Sequence, residues 1–124
     1  MKVILIVDDD RGTRESMKYA FETEGYKVFT AGNVAEAIAV VRTHHVDLAV
    51  VDLKMPIVGG YNFCEYLKKR ERYAHVGVII LTGAEERYGR EEAEELGIDA
   101  YLDKPIEHRE LMRVVHRILM DRRV

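Results

Sequence analysis

One cysteine, two prolines and no tryptophan are the scarcities of this 124-residue sequence. A lone Cys64 excludes an internal disulfide and any metal centre built from several thiolates, and it fits a reducing cytoplasm. No apolar run approaches the roughly 18–20 residues that a helix needs to cross a bilayer. The N-terminal run Val3–Val7 is short and ends in three aspartates, which suits a buried strand and not a secretory leader. Charge of one sign is also lacking. The 19 basic and 22 acidic residues leave a net −3, so composition makes no case for a nucleic acid or a membrane surface as the direct partner of this segment. Repeats, linkers and low-complexity stretches are absent. What remains is the length of one domain, residues 1–124, with 48% hydrophobic residues, enough to bury a core without covalent staples.

Five short apolar runs, Val3–Val7, Lys27–Thr30, Leu48–Val51, Val76–Leu81 and Ala100–Leu102, alternate with helical patterns. The first, third and fourth are near-continuous Val, Ile and Leu, as strands buried on both faces of a parallel sheet are. The spacing predicts a helix over Thr13–Glu24, with Thr13, Met17, Ala20 and Phe21 on one face and Gly25 as its stop. Asn33 is the expected N-cap of a helix over Val34–Thr43, with Glu36 completing a capping-box-like pair. A third helix, Tyr61–Arg70, puts Phe63 and Leu67 together. A fourth, Glu85–Leu96, has only Tyr88, Ala93 and Leu96 to bury before Gly97. The fifth, Ile106–Met120, carries Leu111, Val114, Val115, Ile118 and Leu119 at i, i+3, i+4, i+7 and i+8. This alternation implies an α/β fold, a doubly wound five-stranded parallel sheet in a three-layer sandwich of the flavodoxin-like type. In such folds ligands sit beyond the carboxyl ends of the strands, at the topological switch point.

The polar residues fall at those ends. The first strand runs into Asp8-Asp9-Asp10, the third into Asp52, the fourth into Thr82-Gly83, and the fifth is followed by Lys104-Pro105. Two like unit charges about 4 Å apart cost on the order of 4 kcal/mol at an effective dielectric near 20. Three converging carboxylates therefore call for a cation. All-oxygen ligands without His or Cys suit a hard one, Mg²⁺ or Mn²⁺. A lysine and a hydroxyl beside a metal-bound carboxylate are what a phosphoryl group requires.

Taken together, Val7-Asp8-Asp9, Asp52-Leu53-Lys54-Met55-Pro56, Thr82-Gly83-Ala84, Tyr101 and Lys104-Pro105 resemble the CheY-like receiver domain of two-component response regulators, over the whole chain. The resemblance implies that Asp52 is the nucleophile on phosphorus, with a phosphohistidine of a sensor kinase or phosphotransfer protein as donor. It implies that Asp9, Asp52 and the backbone carbonyl of Lys54 bind the metal directly and Asp8 through water. Thr82 and Tyr101 would form a switch pair, and Lys104 would hold phosphoryl oxygens, with a cis bond to Pro105. Such a domain is not an enzyme on other molecules; it is a cytoplasmic phosphoacceptor that assists its own phosphorylation and dephosphorylation.

Some positions depart from the family pattern. Gly59-Gly60 stands where Asp-Gly is common, with Gly60 expected to supply the positive φ of a tight turn. Lys54 and Ala84 occupy the two positions that often steer the attacking water, which points to slow loss of the phosphoryl group. Each feature alone has a plainer explanation: a capping acidic turn for Asp8-Asp9-Asp10, a turn for Asp52, an N-cap for Thr82, a loop for Lys104-Pro105, a half-buried sheet position for Tyr101. Jointly these need four coincidences at one sheet edge. His44, His45, His75, His108 and His116 show no ligand spacing and read as surface residues; Cys64 reads as a small buried hydrophobe.

Two other functions are open at this stage. An aspartyl-nucleophile phosphatase usually carries a second acid two residues after the nucleophile, where this chain has Lys54. A protein-binding module independent of phosphorylation would have no need of the intact acid pair, Asp52, Thr82 and Lys104. A flavin site is disfavoured by the acidic loop after the first strand, which repels phosphate. The segment Glu85–Gly97 has six Glu and two Arg, whereas Ile106–Val124 has five Arg against three acids. Two copies could therefore pair acidic helix to basic helix across the fourth helix, fifth strand and fifth helix. Whether the domain is free-standing or the N-terminal part of a longer regulator, and what its output is, the sequence leaves open.

Overall fold

A computed structural model describes residues 1–52, 59–83 and 90–121, with main chain only at 90 and 92. The elements run β1 (Val3–Val7), α1 (Arg11–Thr23), β2 (Lys27–Ala31), α2 (Val34–Thr43), β3 (Leu48–Asp52), α3 (Gly60–Lys68), a 3₁₀ turn (Glu71–Tyr73), β4 (Gly77–Thr82), α4 (Arg90–Leu96), β5 (Ala100–Asp103) and α5 (His108–Asp121). All strand pairs are parallel, in the order β2-β1-β3-β4-β5. The expected five-stranded α/β sandwich is therefore present. Its three near-continuous apolar runs are the three central strands, whose residues are all buried except the first of β1. The edge strands β2 and β5 are only partly buried.

Alternation along each strand divides the core in two. Leu5, Val7, Ala49, Val51, Val78 and Ile80 face Ala37, Val41, Phe63, Leu67 and Ala93, from α2, α3 and α4. Ile4, Ile6, Leu48, Val50, Ile79 and Leu81 face Phe21 of α1 and the Leu111–Leu119 stripe of α5. The amphipathic pattern read for α5 is thus the buried one, residue for residue. Among the described residues no helix is long and apolar enough to cross a membrane.

The helix ends follow local chemistry, with some differences from expectation. Helix α1 begins at Arg11, ahead of the predicted Thr13, because Asp10 caps it. Thr13 accordingly lies on the exposed side, its hydroxyl donating to Asp10 Oδ2 at 2.6 Å, and only Met17, Ala20 and Phe21 turn inward. Asn33 Oδ1 accepts from Glu36 N at 2.8 Å as expected, but Glu36 reaches one residue further back, to Gly32 N at 2.7 Å. Gly25 and Gly97 end α1 and α4 with φ of 97° and 81°, the left-handed conformation a glycine stop supplies. Helix α5 starts at His108, two residues after the predicted Ile106. The predicted start of the fourth helix and its Tyr88 lie outside the described residues.

All five histidines are exposed, as read. The fold nevertheless stacks His45 on His75, their ring centroids 5.1 Å apart. Cys64 is wholly buried and its thiol is pushed up to about 12 by burial, which makes it a packing residue and not a nucleophile.

Phe63, fully buried against the central strands, should lose about 3–5 kcal/mol of stability on Phe63→Ala, with a cavity term added to the lost transfer energy. Urea denaturation checks this, with the exposed His116→Ala as a control expected to stay within about 0.5 kcal/mol of wild type.

Candidate functional site

Because every strand is parallel, β1, β3, β4 and β5 deliver their last residues to one edge. The chain passes from β1 outward to β2 and then returns to β3 on the other side of β1. Asp8 and Asp52 flank that switch point. Asp8 and Asp52 are each 3% exposed, and Thr82 at the end of β4 is wholly buried. Asp9 is exposed at the rim. One oxygen from each of Asp8, Asp9 and Asp52 lies within 4.8 Å of the others.

The three consecutive aspartates divide two roles. Asp10 accepts from Thr13 N at 2.8 Å and caps α1, so the plain capping explanation is right for this residue alone. Asp8 accepts from Asp10 N at 2.9 Å and faces Asp52. Burial pushes the Asp8 carboxyl up to about 6; the charge of Asp52 and a shared hydrogen bond add to this, while the Asp10 amide and Lys104 oppose it. Lys104, just past β5, places Nζ 2.8 Å from Asp52 Oδ2. Its backbone N–H donates to the Thr82 carbonyl at 2.8 Å, and its bond to Pro105 is cis. The Thr82 hydroxyl donates to the Gly83 carbonyl at 3.2 Å. Tyr101 is half-buried on β5 and pairs in register with Ile80 of β4.

The carboxylates, Lys104 and Thr82 named from the sequence thus stand at one edge, with Tyr101 two residues back along β5. Lys54 and Ala84 lie outside the described residues. Gly60 does not carry the positive φ expected of it: it is the first residue of α3. Glycine is required there for room, because a Cβ would sit 2.6 Å from the Asp52 carbonyl oxygen and 2.7 Å from Val51 Cγ1. The N-terminus of α3 consequently rests directly on the end of β3. The sequence reading overlooked Arg14, whose Nη1 donates to the Asp8 carbonyl at 2.8 Å. Its signal was a cation one helical turn after the Asp10 cap.

Among the described residues the three carboxylates form a hard-oxygen donor set, and with the single ammonium of Lys104 beside them the cluster keeps a net negative charge suited to a small divalent cation. Beside it a groove of 590 Å³ runs between α1 and the β5–α5 connection, lined by Met17, Ala20, Ile106 and Leu111 with Asp8 and Lys104 at the site end.

Residues 4–116 match the family model of the response regulator receiver domain. The chain is 35% identical to the probable transcriptional regulator ycf27 of Cyanidium caldarium, over 94% of its own length and 45% of that protein. It is 35% identical to response regulator Rre1 of Synechocystis, over 94% of its length and 51% of that protein. The chain thus spans about half the length of the curated relatives it matches. Among solved structures it is similar to response regulator TrrA of Thermotoga maritima in complex with Mg²⁺ and BeF, with a TM-score of 0.82, 30% identity, and coverage of 95% of this chain and 99% of that one.

The raised Asp8 carboxyl sets a pH dependence for the metal-free protein. Between about pH 4 and 6 the folded protein keeps a proton on Asp8 that the unfolded chain has lost. Asp8 therefore destabilises the fold at pH 7, and this penalty shrinks as pH falls toward 5. Asp10, lowered by its bonds from Thr13, and Asp47, raised by burial but held below its ordinary value by the Val3 amide and His45, contribute stability that is lost only on further acidification. In EDTA, Asp8→Asn should raise the melting temperature at pH 7 by roughly 3–5 °C, and by clearly less at pH 5. An equal gain at both pH values would show that Asp8 does not titrate in this window.

Proposed function

The chain belongs to the response regulator receiver family, and from that premise we propose that it accepts a phosphoryl group on Asp52 in a Mg²⁺-dependent reaction and relays the change through its α4–β5–α5 face. The observation that carries this reading is the buried Asp52, converged with Asp8 and Asp9 and bonded to Lys104.

Asp8, Asp9 and Asp52 would hold the Mg²⁺, or Mn²⁺ in its place, together with the carbonyl of Lys54. Bound there, the ion supplies positive charge to the phosphoryl oxygens. A carboxylate oxygen of Asp52 attacks phosphorus on a phosphohistidine of a sensor kinase or phosphotransfer protein. The P–O bond forms as the P–N bond breaks, and the imidazole leaves with the electron pair. Lys104 Nζ, already on Asp52, moves to the incoming oxygens. The Thr82 hydroxyl turns from the Gly83 carbonyl to donate to the phosphoryl group. Thr82 and Tyr101 lie on adjacent paired strands, so a shift of one is felt by the other, and the Tyr101 ring turns inward. The apolar groove along α1 opens beside Asp8 and Lys104, which suits a helix of the donor protein. Both the donor chemistry and a reduced Cys64 fit the cytoplasm. The chain then acts as a switch that assists its own phosphorylation and dephosphorylation; among the described residues nothing at the site favours a phosphatase or a module independent of phosphorylation.

Two outcomes follow. Acetyl phosphate should label wild-type protein only with a divalent cation present, and Asp52→Asn should abolish labelling; a mutant that labels as well as wild type refutes the assignment. Phosphorylation should also promote a dimer through α4, β5 and α5. Glu91, Glu94 and Glu95 on α4 and Arg109, Arg113 and Arg117 on α5 are all exposed, although Arg113 pairs with Glu110 on its own helix at 3.1 Å. Sedimentation of the phosphorylated form should show a dimer that rising salt weakens. A strict monomer at low salt and high concentration rejects this pairing.

A further inference from the structure

The turn that presents Asp8, Asp9 and Asp10 is tied down at several points. Asp8 N donates to the Ala31 carbonyl at 3.0 Å, Asp10 N to Asp8 Oδ1 at 2.9 Å, and Arg14 N to the Asp10 carbonyl at 3.0 Å. A further tie differs in kind. From the first turn of α1, the partly buried Arg14 side chain reaches back and donates through Nη1 to the Asp8 carbonyl at 2.8 Å. Gly32, the residue after β2, makes room for it. A Cβ at position 32 would sit 2.9 Å from Arg14 Nη1 and 3.4 Å from Cζ. The backbone at Gly32 is not in the left-handed region, so what glycine supplies there is space.

A guanidinium next to three acids acts on cation binding in two opposed ways. As a charge it competes with a bound cation, and removing it should tighten binding. As a tether it holds the main chain of the acidic turn against the repulsion of the carboxylates, and removing it should weaken binding. Resting on the metal reading above, we propose that Arg14 is a positioning residue for the Mg²⁺ site, with Gly32 kept bare to admit it. The bond to the Asp8 carbonyl keeps Asp8 and Asp9 converged on Asp52 before any metal arrives. Groups that orient ligands from behind in this way typically matter at the level of 10–100-fold in metal affinity.

Because the two effects differ in sign, Mg²⁺ affinity of the full chain separates them. Calorimetric titration would compare wild type with Arg14→Met, Arg14→Lys and Gly32→Ala. The last displaces only the far end of a flexible side chain and leaves the fold intact. Arg14→Met and Gly32→Ala should each bind Mg²⁺ about tenfold more weakly, the first despite having lost a repelling charge, and Arg14→Lys should fall between. Labelling by acetyl phosphate should need more Mg²⁺ in these variants yet recover toward the wild-type rate at saturation. Wild type that takes up no Mg²⁺ overturns the metal reading and this proposal together. Wild type that binds, with Arg14→Met and Gly32→Ala binding as tightly or more tightly, overturns the proposal alone. If Arg14→Met does not fold, Gly32→Ala decides.

Discussion

Repulsion among Asp8, Asp9 and Asp52 is the interaction around which the carboxyl edge of this sheet is organised. The fold puts three acids within 4.8 Å of one another and buries two of them. The cost shows in the Asp8 carboxyl, pushed up to about 6 chiefly by burial. Relief comes from Lys104, brought from past β5 to Asp52, and from the nearby Asp10 amide, while Arg14 ties down the turn backbone.

The opposite edge of the sheet shows what paired acids look like. Asp47 accepts from Val3 N at 2.8 Å and lies 2.8 Å from His45; Asp99 accepts from Val78 N at 2.8 Å and has Lys68 at 3.7 Å. Each of these aspartates satisfies a strand amide beside a basic side chain. Among the described residues the carboxyl edge instead gathers three acids beside one ammonium, that of Lys104. This imbalance of charge among the described residues distinguishes the carboxyl edge from the opposite one, and it, more than the number of acids, marks the candidate site.

Rigidity behind the site comes from the central strands. Strands β1, β3 and β4 are covered on both faces, so their ends cannot drift apart without opening a close-packed core. Gly60 adds to this by letting α3 start in contact with the Asp52 carbonyl. The half-covered strand β5 carries Tyr101 and leads into Lys104, which leaves the moving parts of the proposed switch on the more yielding side of the sheet.

By itself the sequence determined the number and order of the elements, the two-sided burial of the central strands and the α5 stripe, because apolar periodicity is local and dictates which face is covered. It also supplied the strand-end residues Asp8, Asp52, Thr82 and Lys104, since parallel strands send all such residues to one edge. Thr13, three residues on, takes Asp10 as a local helix cap, but only the tertiary structure brought Asp8 and Asp9 to Asp52, because they meet that residue across two strands. It alone gave Gly60 and Gly32 their reasons, which are close approaches to Asp52 and Arg14. It alone joined Arg14 to the Asp8 carbonyl. Contacts of this kind depend on side-chain reach across separate elements, and no periodicity along the chain encodes them.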